Sequence, residues 1–276
     1  MDITFAYSPC PNDTFMFAPI FSGAIDTGRL SITVIHDEVE QLNKAAYNRT
    51  YDVSKLSFNA FTKLTHHYQL LSAGAALGKN CGPLLVAKQA MPLTDLQNKK
   101  IAIPGINTTA NLMMSLALPN VSDKVEVLFS DIEQAVLEGT VDAGLIIHES
   151  RFTYESKGLV KLLDVGEYWE DSTNSPIPLG GIAVARDLPD SVKLELNRLV
   201  AKSVQYAFEH PKESIEYIKH HAQEMDEAVM YAHIDLYVNE YSKQLGPEGR
   251  LSVQTLFEKV ATTNSGTLYQ DDLILP

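Results

Sequence analysis

Apolar positions along this chain fall into short alternating runs separated by stretches of helical spacing, the rhythm of an α/β protein. Residues 3–7 form a short β-prone run closed by Ser8-Pro9-Cys10-Pro11, and an apolar helix is predicted over about 14–20, with Asn12 and Asp13 as N-cap candidates. Residues 30–35 alternate as a strand, and Val39–Tyr47 has helical spacing. Residues 52–57 read as a strand leading through Asn59-Ala60-Phe61 into another helix, and 82–87 as a further strand. This β-α-β-α-β order predicts parallel strands with helices on their faces.

The rhythm restarts after Pro92. Residues 101–105 form a strand ending in Pro104-Gly105, and a helix is predicted over 107–118. A strand over 125–129, a helix over 131–138 stopped by Gly139, and a buried strand over 141–147 follow, the last ending at His148-Glu149. Residues 180–185 read as one more strand and 188–208 as a long amphipathic helix, with Leu196, Leu199, Val200 and Val204 on its apolar side. Further helices fill the C-terminal part, interrupted near Gly246-Pro247-Glu248-Gly249. Two similar β/α units predict two lobes, one of residues 1–88 plus 187–276 and one of 89–186, with 82–87 and 180–185 as crossing strands. A ligand is expected between the lobes, at carboxyl ends of strands.

Composition narrows the function. A formal net charge of -13 opposes a phosphate backbone, and with no locally basic face nucleic acid is not an expected partner. The same field means that an anionic ligand must be held by local donors. No apolar run is long enough to cross a bilayer. The start, MDITFAYSPCPND, lacks the basic and apolar regions of a secretory signal, so a cytoplasmic location is expected. Two cysteines, Cys10 and Cys81, provide neither a disulfide framework nor a CxxC metal pair.

Three strand-to-helix junctions concentrate polar groups. In Ser8-Pro9-Cys10-Pro11-Asn12-Asp13-Thr14 the prolines fix the backbone while three polar side chains stand at a helix start; taken alone, a rigid turn with an N-cap is the simpler account. Lys55-Leu56-Ser57-Phe58-Asn59 again places polar groups at a strand end. Pro104-Gly105-Ile106-Asn107-Thr108-Thr109-Ala110-Asn111 opens a helix whose first N–H groups and dipole suit a carboxylate, although a well-capped helix explains it equally. It matches neither a Walker loop nor G-x-G-x-x-G.

Among the histidines, His66-His67, His210, His220-His221 and His233 lie in polar, helical-looking stretches and are expected to be solvated. No HExxH or other spaced metal set occurs. His148 follows an apolar strand and stands where a ligand cleft should open. It reads either as a proton acceptor or as a buried histidine tied to a carbonyl, and periodicity alone slightly favours the second. Glu149 and Glu155 read as surface carboxylates.

Four strings, Ser8-Pro-Cys-Pro-Asn-Asp-Thr-Phe-Met-Phe17, Asp52-Val-Ser-Lys-Leu-Ser-Phe-Asn59, Gly105-Ile-Asn-Thr-Thr-Ala-Asn111 and Gly144-Leu-Ile-Ile-His-Glu149, together resemble the 1,4-dihydroxy-6-naphthoate synthase family of the futalosine route to menaquinone. The resemblance covers most of the chain. It implies a two-lobed periplasmic-binding-protein-like (type II) α/β fold, with two mixed sheets flanked by helices and a cleft between lobes. It implies a carbon–carbon lyase that cleaves cyclic dehypoxanthinyl futalosine, releases the sugar-derived fragment and leaves the dihydroxynaphthoate, without metal, flavin or nicotinamide. It also implies that His148 is the proton acceptor, that Lys55, Leu56 and Ser57 line the substrate and that Thr109 and Ala110 bind it. Thr108 is a further candidate contact, and Asp13 is another, with helix capping as its alternative. A solute receptor of the same fold would carry a secretion leader and need no titratable base. A ligand-sensing regulator would need a DNA-binding segment. The proline-rich string favours this family over the sibling chorismate dehydratase family.

Overall fold

The structure, a computed structural model, describes residues 1–221, 226–262 and 270–276. The chain begins with strand β1 (Asp2–Tyr7), helix α1 (Pro11–Phe21), β2 (Ser31–His36), α2 (Val39–Tyr47), β3 (Val53–Ser57), the single turn α3 (Phe58–Phe61), β4 (Tyr68–Leu70) and β5 (Ala76–Gly78). Its middle stretch holds β6 (Leu84–Ala87), β7 (Ile101–Ile103), α4 (Thr109–Ala117), β8 (Lys124–Glu126), α5 (Ile132–Glu138), β9 (Ala143–Ile146), α6 (Ser150–Thr153), β10 (Val160–Asp164) and α7 (Val165–Thr173). The last stretch supplies β11 (Ile177–Ala185), α8 (Asp190–Glu209), α9 (Ile215–His221), α10 (Glu227–Tyr237), α11 (Glu240–Lys243) and α12 (Gly246–Thr262). Two compact units result, Met1–Gly78 with Pro178–Pro276, and Lys79–Ile177. Their boundaries fall earlier in the chain than the 88 and 186 of the sequence reading.

In the first unit the strand order is β2-β1-β3-β11-β4, with β5 also paired to β11. β1 runs parallel to β2 and β3, whereas β11 is antiparallel to β3 and β4, so the sheet is mixed rather than parallel. α1 is buried along nearly its whole length and packs against α8, α9 and α10, the fate of a helix that is apolar all round beyond its first turn. It begins at Pro11, not Thr14, because proline at the first helical position has its φ preset and lacks an N–H that would go unpaired. Asn12 and Asp13 therefore stand inside the first turn and are not caps; Cys10 is the N-cap, without a side-chain cap bond. Aromatic rings fill the space beneath, Phe17 meeting Phe5 and Tyr7 edge-on at 5.2 and 4.9 Å. The expected interruption at 246–249 is a helix start: Gly246 takes a left-handed φ of 58° and α12 runs on from it.

In the second unit the order is β10-β6-β9-β7-β8. β7 is parallel to β8 and β9, while β6 is antiparallel to β9 and β10. β6 thus belongs to this sheet and does not join the first unit's strands; its four residues are all buried, and such a strand needs a neighbour on each side. Leu84, Val86, Ala102, Ile132, Val136 and Ile146 form the core between sheet and α5. Gly139 closes α5 in the left-handed conformation, φ 78°, as its position after the apolar run predicts. Among the described residues, no helix is long and apolar enough to cross a membrane.

Candidate active site

In the first unit, β1 and β3 are parallel neighbours, with Phe5 opposite Val53 and Ala6 opposite Ser54. The Ser8–Asp13 segment and the end of β3 that carries Lys55 and Ser57 therefore lie at one carboxyl edge of the sheet, where α/β sheets hold ligands. Lys55 and Asp13 meet there: the ammonium donates to Asp13 Oδ1 at 2.5 Å, and both side chains are buried. The Asn12 amide donates to the same oxygen at 2.9 Å. Burial pushes the Asp13 carboxyl above the usual carboxylate range, against the opposing pull of the Lys55 charge and of hydrogen bonds from Lys55, the Ser8 N–H and Asn12. Asp13 is thus an ion-pair partner, neither a cap nor an isolated carboxylate.

Along β3 the side chains of Lys55 and Ser57 alternate with that of Leu56, which is fully buried on the opposite face. The backbone of Ser57 donates to Asn43 Oδ1 at 2.9 Å, and Asn43 Nδ2 donates to Ser57 Oγ at 3.0 Å and to Glu40 Oε2 at 3.2 Å. Asn43, buried on α2, thus orients Ser57, a role that helical spacing alone does not announce. Gly180 on β11 leaves room for this edge: a Cβ there would stand 2.7 Å from the Leu56 carbonyl and 3.3 Å from Lys55 Cε.

Two histidines depart from the solvated expectation. His233 on α10 is fully buried, and its Nε2 lies 3.1 Å from Asn12 Oδ1. His221 stacks on His36 at the end of β2, with ring centroids 4.4 Å apart. Tyr217 bridges to this pair, its hydroxyl 2.8 Å from that of Tyr7 and 3.5 Å from His36 Nε2. Burial, with the neighbouring His221 second, lowers the His36 pKa from 6.5 to about 4. The groups facing it are Tyr7, Tyr217 and His221, with His220 against His221. Between those two pH values the unfolded chain takes up a proton that the folded His36 refuses, so stability is full above about 6.5 and declines as pH falls toward about 4. Since His36 is only half buried, the loss should be on the order of 1 kcal/mol after solvent screening. Urea titrations at several pH values should show this acid decline in the wild type and a shallower one in His36→Phe.

In the second unit, β7 and β9 are adjacent and parallel, with Ile101 opposite Ala143 and Ala102 opposite Gly144. Their carboxyl ends carry the Gly105–Ala110 turn and His148, so both features emerge at one edge of this sheet. Thr108 is the N-cap of α4: its hydroxyl donates to the Gly105 carbonyl at 2.7 Å and accepts from the Asn111 N–H at 3.2 Å. Thr109 and Ala110 are buried in the first turn. The Ala110 N–H has no partner among the described residues, which leaves a donor at the positive end of the helix dipole. Lys124 steadies this start, its ammonium bonded to Ser115 at 2.6 Å and 3.4 Å from Asn111 Oδ1.

His148 holds a left-handed φ of 55°, which costs a non-glycine residue about 1 kcal/mol and turns the chain sharply off the end of β9. Phe129 packs against its ring at 4.9 Å and 60°. The following turn is anchored: Ser150 donates to Glu133 at 2.9 Å, and Arg151 bonds Asp164 at 2.9 Å and the Gly82 carbonyl at 2.6 Å. His148 is half-buried at this edge, and Glu155 is exposed. Within either unit taken alone, no three His, Cys, Asp or Glu side chains converge at metal-ligand distance among the described residues.

Two mixed sheets flanked by helices make a periplasmic-binding-protein-like fold. A Candida albicans protein described as having the generic periplasmic binding protein fold superposes with a TM-score of 0.64, 16% identical, over 99% of this chain and 98% of that one. Much nearer is a crystal structure of an Archaeoglobus fulgidus protein, 37% identical with a TM-score of 0.90, covering 95% of this chain and 97% of that chain. The chain belongs to the menaquinone biosynthesis family, whose model matches residues 3–262. It is 41% identical to the 1,4-dihydroxy-6-naphtoate synthase of Thermus thermophilus, over 91% of each chain. It is 40% identical to the synthase of the same name from Streptomyces coelicolor, over 93% of this chain and 92% of that one.

Proposed function

We propose that this chain is a 1,4-dihydroxy-6-naphthoate synthase, a lyase that cleaves cyclic dehypoxanthinyl futalosine to dihydroxynaphthoate and a sugar-derived fragment, in the cytoplasm. The observation that carries the reading is the common origin of His148 and the Thr108–Ala110 helix start at the carboxyl ends of the neighbouring strands β9 and β7. An aryl carboxylate suits that helix start, since the Ala110 N–H and the dipole favour negative charge there. His148 accepts a proton from the bound substrate, which opens carbon–carbon cleavage. Aromatisation of the remaining ring supplies the driving force. A histidine ordinarily titrates near neutral pH, which suits a general base. Lys55 and Ser57 supply polar side chains to the substrate, and Leu56 contributes through its backbone.

The test is to incubate the purified chain, with no added cofactor, with cyclic dehypoxanthinyl futalosine and follow dihydroxynaphthoate by chromatography. Product supports the assignment; a folded chain that makes none returns the protein to the ligand-binding members of the fold. Thr109→Leu should fill the helix start and raise KM by about tenfold or more with a smaller change in kcat, as loss of uniform binding predicts. Steady-state kinetics on that variant checks the carboxylate site, and an unchanged KM would exclude it.

A further inference from the structure

His233, Asn12, Asp13 and Lys55 make a continuous hydrogen-bonded line in the first unit, running from α10 through α1 to β3. The direction of every bond in it can be assigned. Asp13 Oδ1 receives the Lys55 ammonium, and a carboxylate in such a pair only accepts, so Asn12 turns its NH2 toward Asp13. That leaves the Asn12 carbonyl oxygen facing His233, and an amide oxygen also only accepts. His233 Nε2, 3.1 Å away, must therefore carry a hydrogen. A wholly buried imidazole is a costly way to fill a core position, and an apolar side chain would pack α10 against α1 without a polar group to satisfy. A lysine ammonium, by contrast, sits on a flexible stem that needs fixing before it can serve as a defined contact.

We infer that His233 and Asn12 are positioning residues for Lys55: His233 holds the Asn12 amide, Asn12 orients the Asp13 carboxylate, and Asp13 holds the Lys55 ammonium where substrate meets it. The inference rests on the proposed contact between Lys55 and substrate and deepens it. Substrate recognition at β3 is set in part by a histidine on a distant helix segment.

The experiment compares His233→Phe, which fills the space without a donor, with His233→Gln, whose amide can donate to Asn12. Two readouts are taken, KM and kcat with cyclic dehypoxanthinyl futalosine, and the rate of reductive methylation of Lys55 relative to exposed Lys63 by peptide mass spectrometry. In His233→Phe, KM should rise about tenfold with little change in kcat, and Lys55 should methylate about tenfold faster, because the loss is one of ground-state positioning. His233→Gln should recover most of both effects. Wild-type KM and wild-type Lys55 protection in His233→Phe would overturn the inference. So would a fall in kcat alone that tracks the folded fraction, or a glutamine variant as impaired as the phenylalanine one. Faster labelling with unchanged KM would also overturn it, by detaching Lys55 from substrate. If the wild type itself makes no product, the proposed reaction fails, and the labelling comparison alone decides whether the relay holds Lys55.

Discussion

His148→Ala should lower turnover by about a hundredfold or more while moving KM by only a small factor, the usual scale for removal of a positioned proton acceptor. The expectation follows from where the residue sits. Its backbone is turned off the end of β9 in a left-handed conformation and the chain behind it is anchored by Ser150 and Arg151, so the point from which the imidazole projects is fixed by the fold before substrate arrives. Phe129 packs edge-on against the ring, which limits its freedom. Alanine at a left-handed position brings a backbone cost of its own, so His148→Asn is the companion variant. Asparagine adopts that conformation readily but cannot accept the proton at neutral pH. Both variants should be slow, with unfolding midpoints ordered Asn above Ala. Either one turning over near the wild-type rate would remove His148 from the chemistry.

Asp13→Ala should cost about 3–5 kcal/mol of stability, because it leaves the Lys55 ammonium buried without its counter-charge. The pair is enclosed, the Asp13 side chain being 2% exposed and that of Lys55 7%. The double replacement Asp13→Leu with Lys55→Met removes both charges and restores apolar volume. It should regain most of the lost stability and still bind substrate poorly. Urea unfolding of the single and double variants reads the first effect, and KM reads the second. A single variant as stable as the wild type would mean that Lys55 finds another partner or swings into water.

The features legible in the sequence were those set by neighbours along the chain. The Val39–Tyr47 helix has matching bounds, and Gly139 stops α5 as its place after an apolar run predicts. The junction residues, too, stand at strand carboxyl ends, because a strand followed by proline, glycine and hydroxyl residues has few other ways to turn into a helix. What escaped depends on distant partners. β10 has no clear alternation, because Val160–Asp164 is largely half-buried and its register against β6 shifts within the strand. The mixed character of both sheets, which the family resemblance implies but the β-α rhythm does not, rests on β11 and β6 running antiparallel to strands far away in sequence. His233 sits in a helix whose local pattern gave no sign that its face packs on α1, and its partner Asn12 is more than two hundred residues away. For Asp13 the local pattern leaves a ligand contact and a helix cap as alternatives; α1 starts at Pro11, which removes the cap, and the ion-pair partner Lys55 lies on another strand.

The most direct test of the central claim is to measure both fragments formed from cyclic dehypoxanthinyl futalosine by the purified chain, using mass spectrometry with internal standards. The account predicts dihydroxynaphthoate and the sugar-derived fragment in equal amounts, each matching the substrate consumed, at a rate that collapses in His148→Ala. A folded chain that binds the substrate and returns it intact would contradict that account.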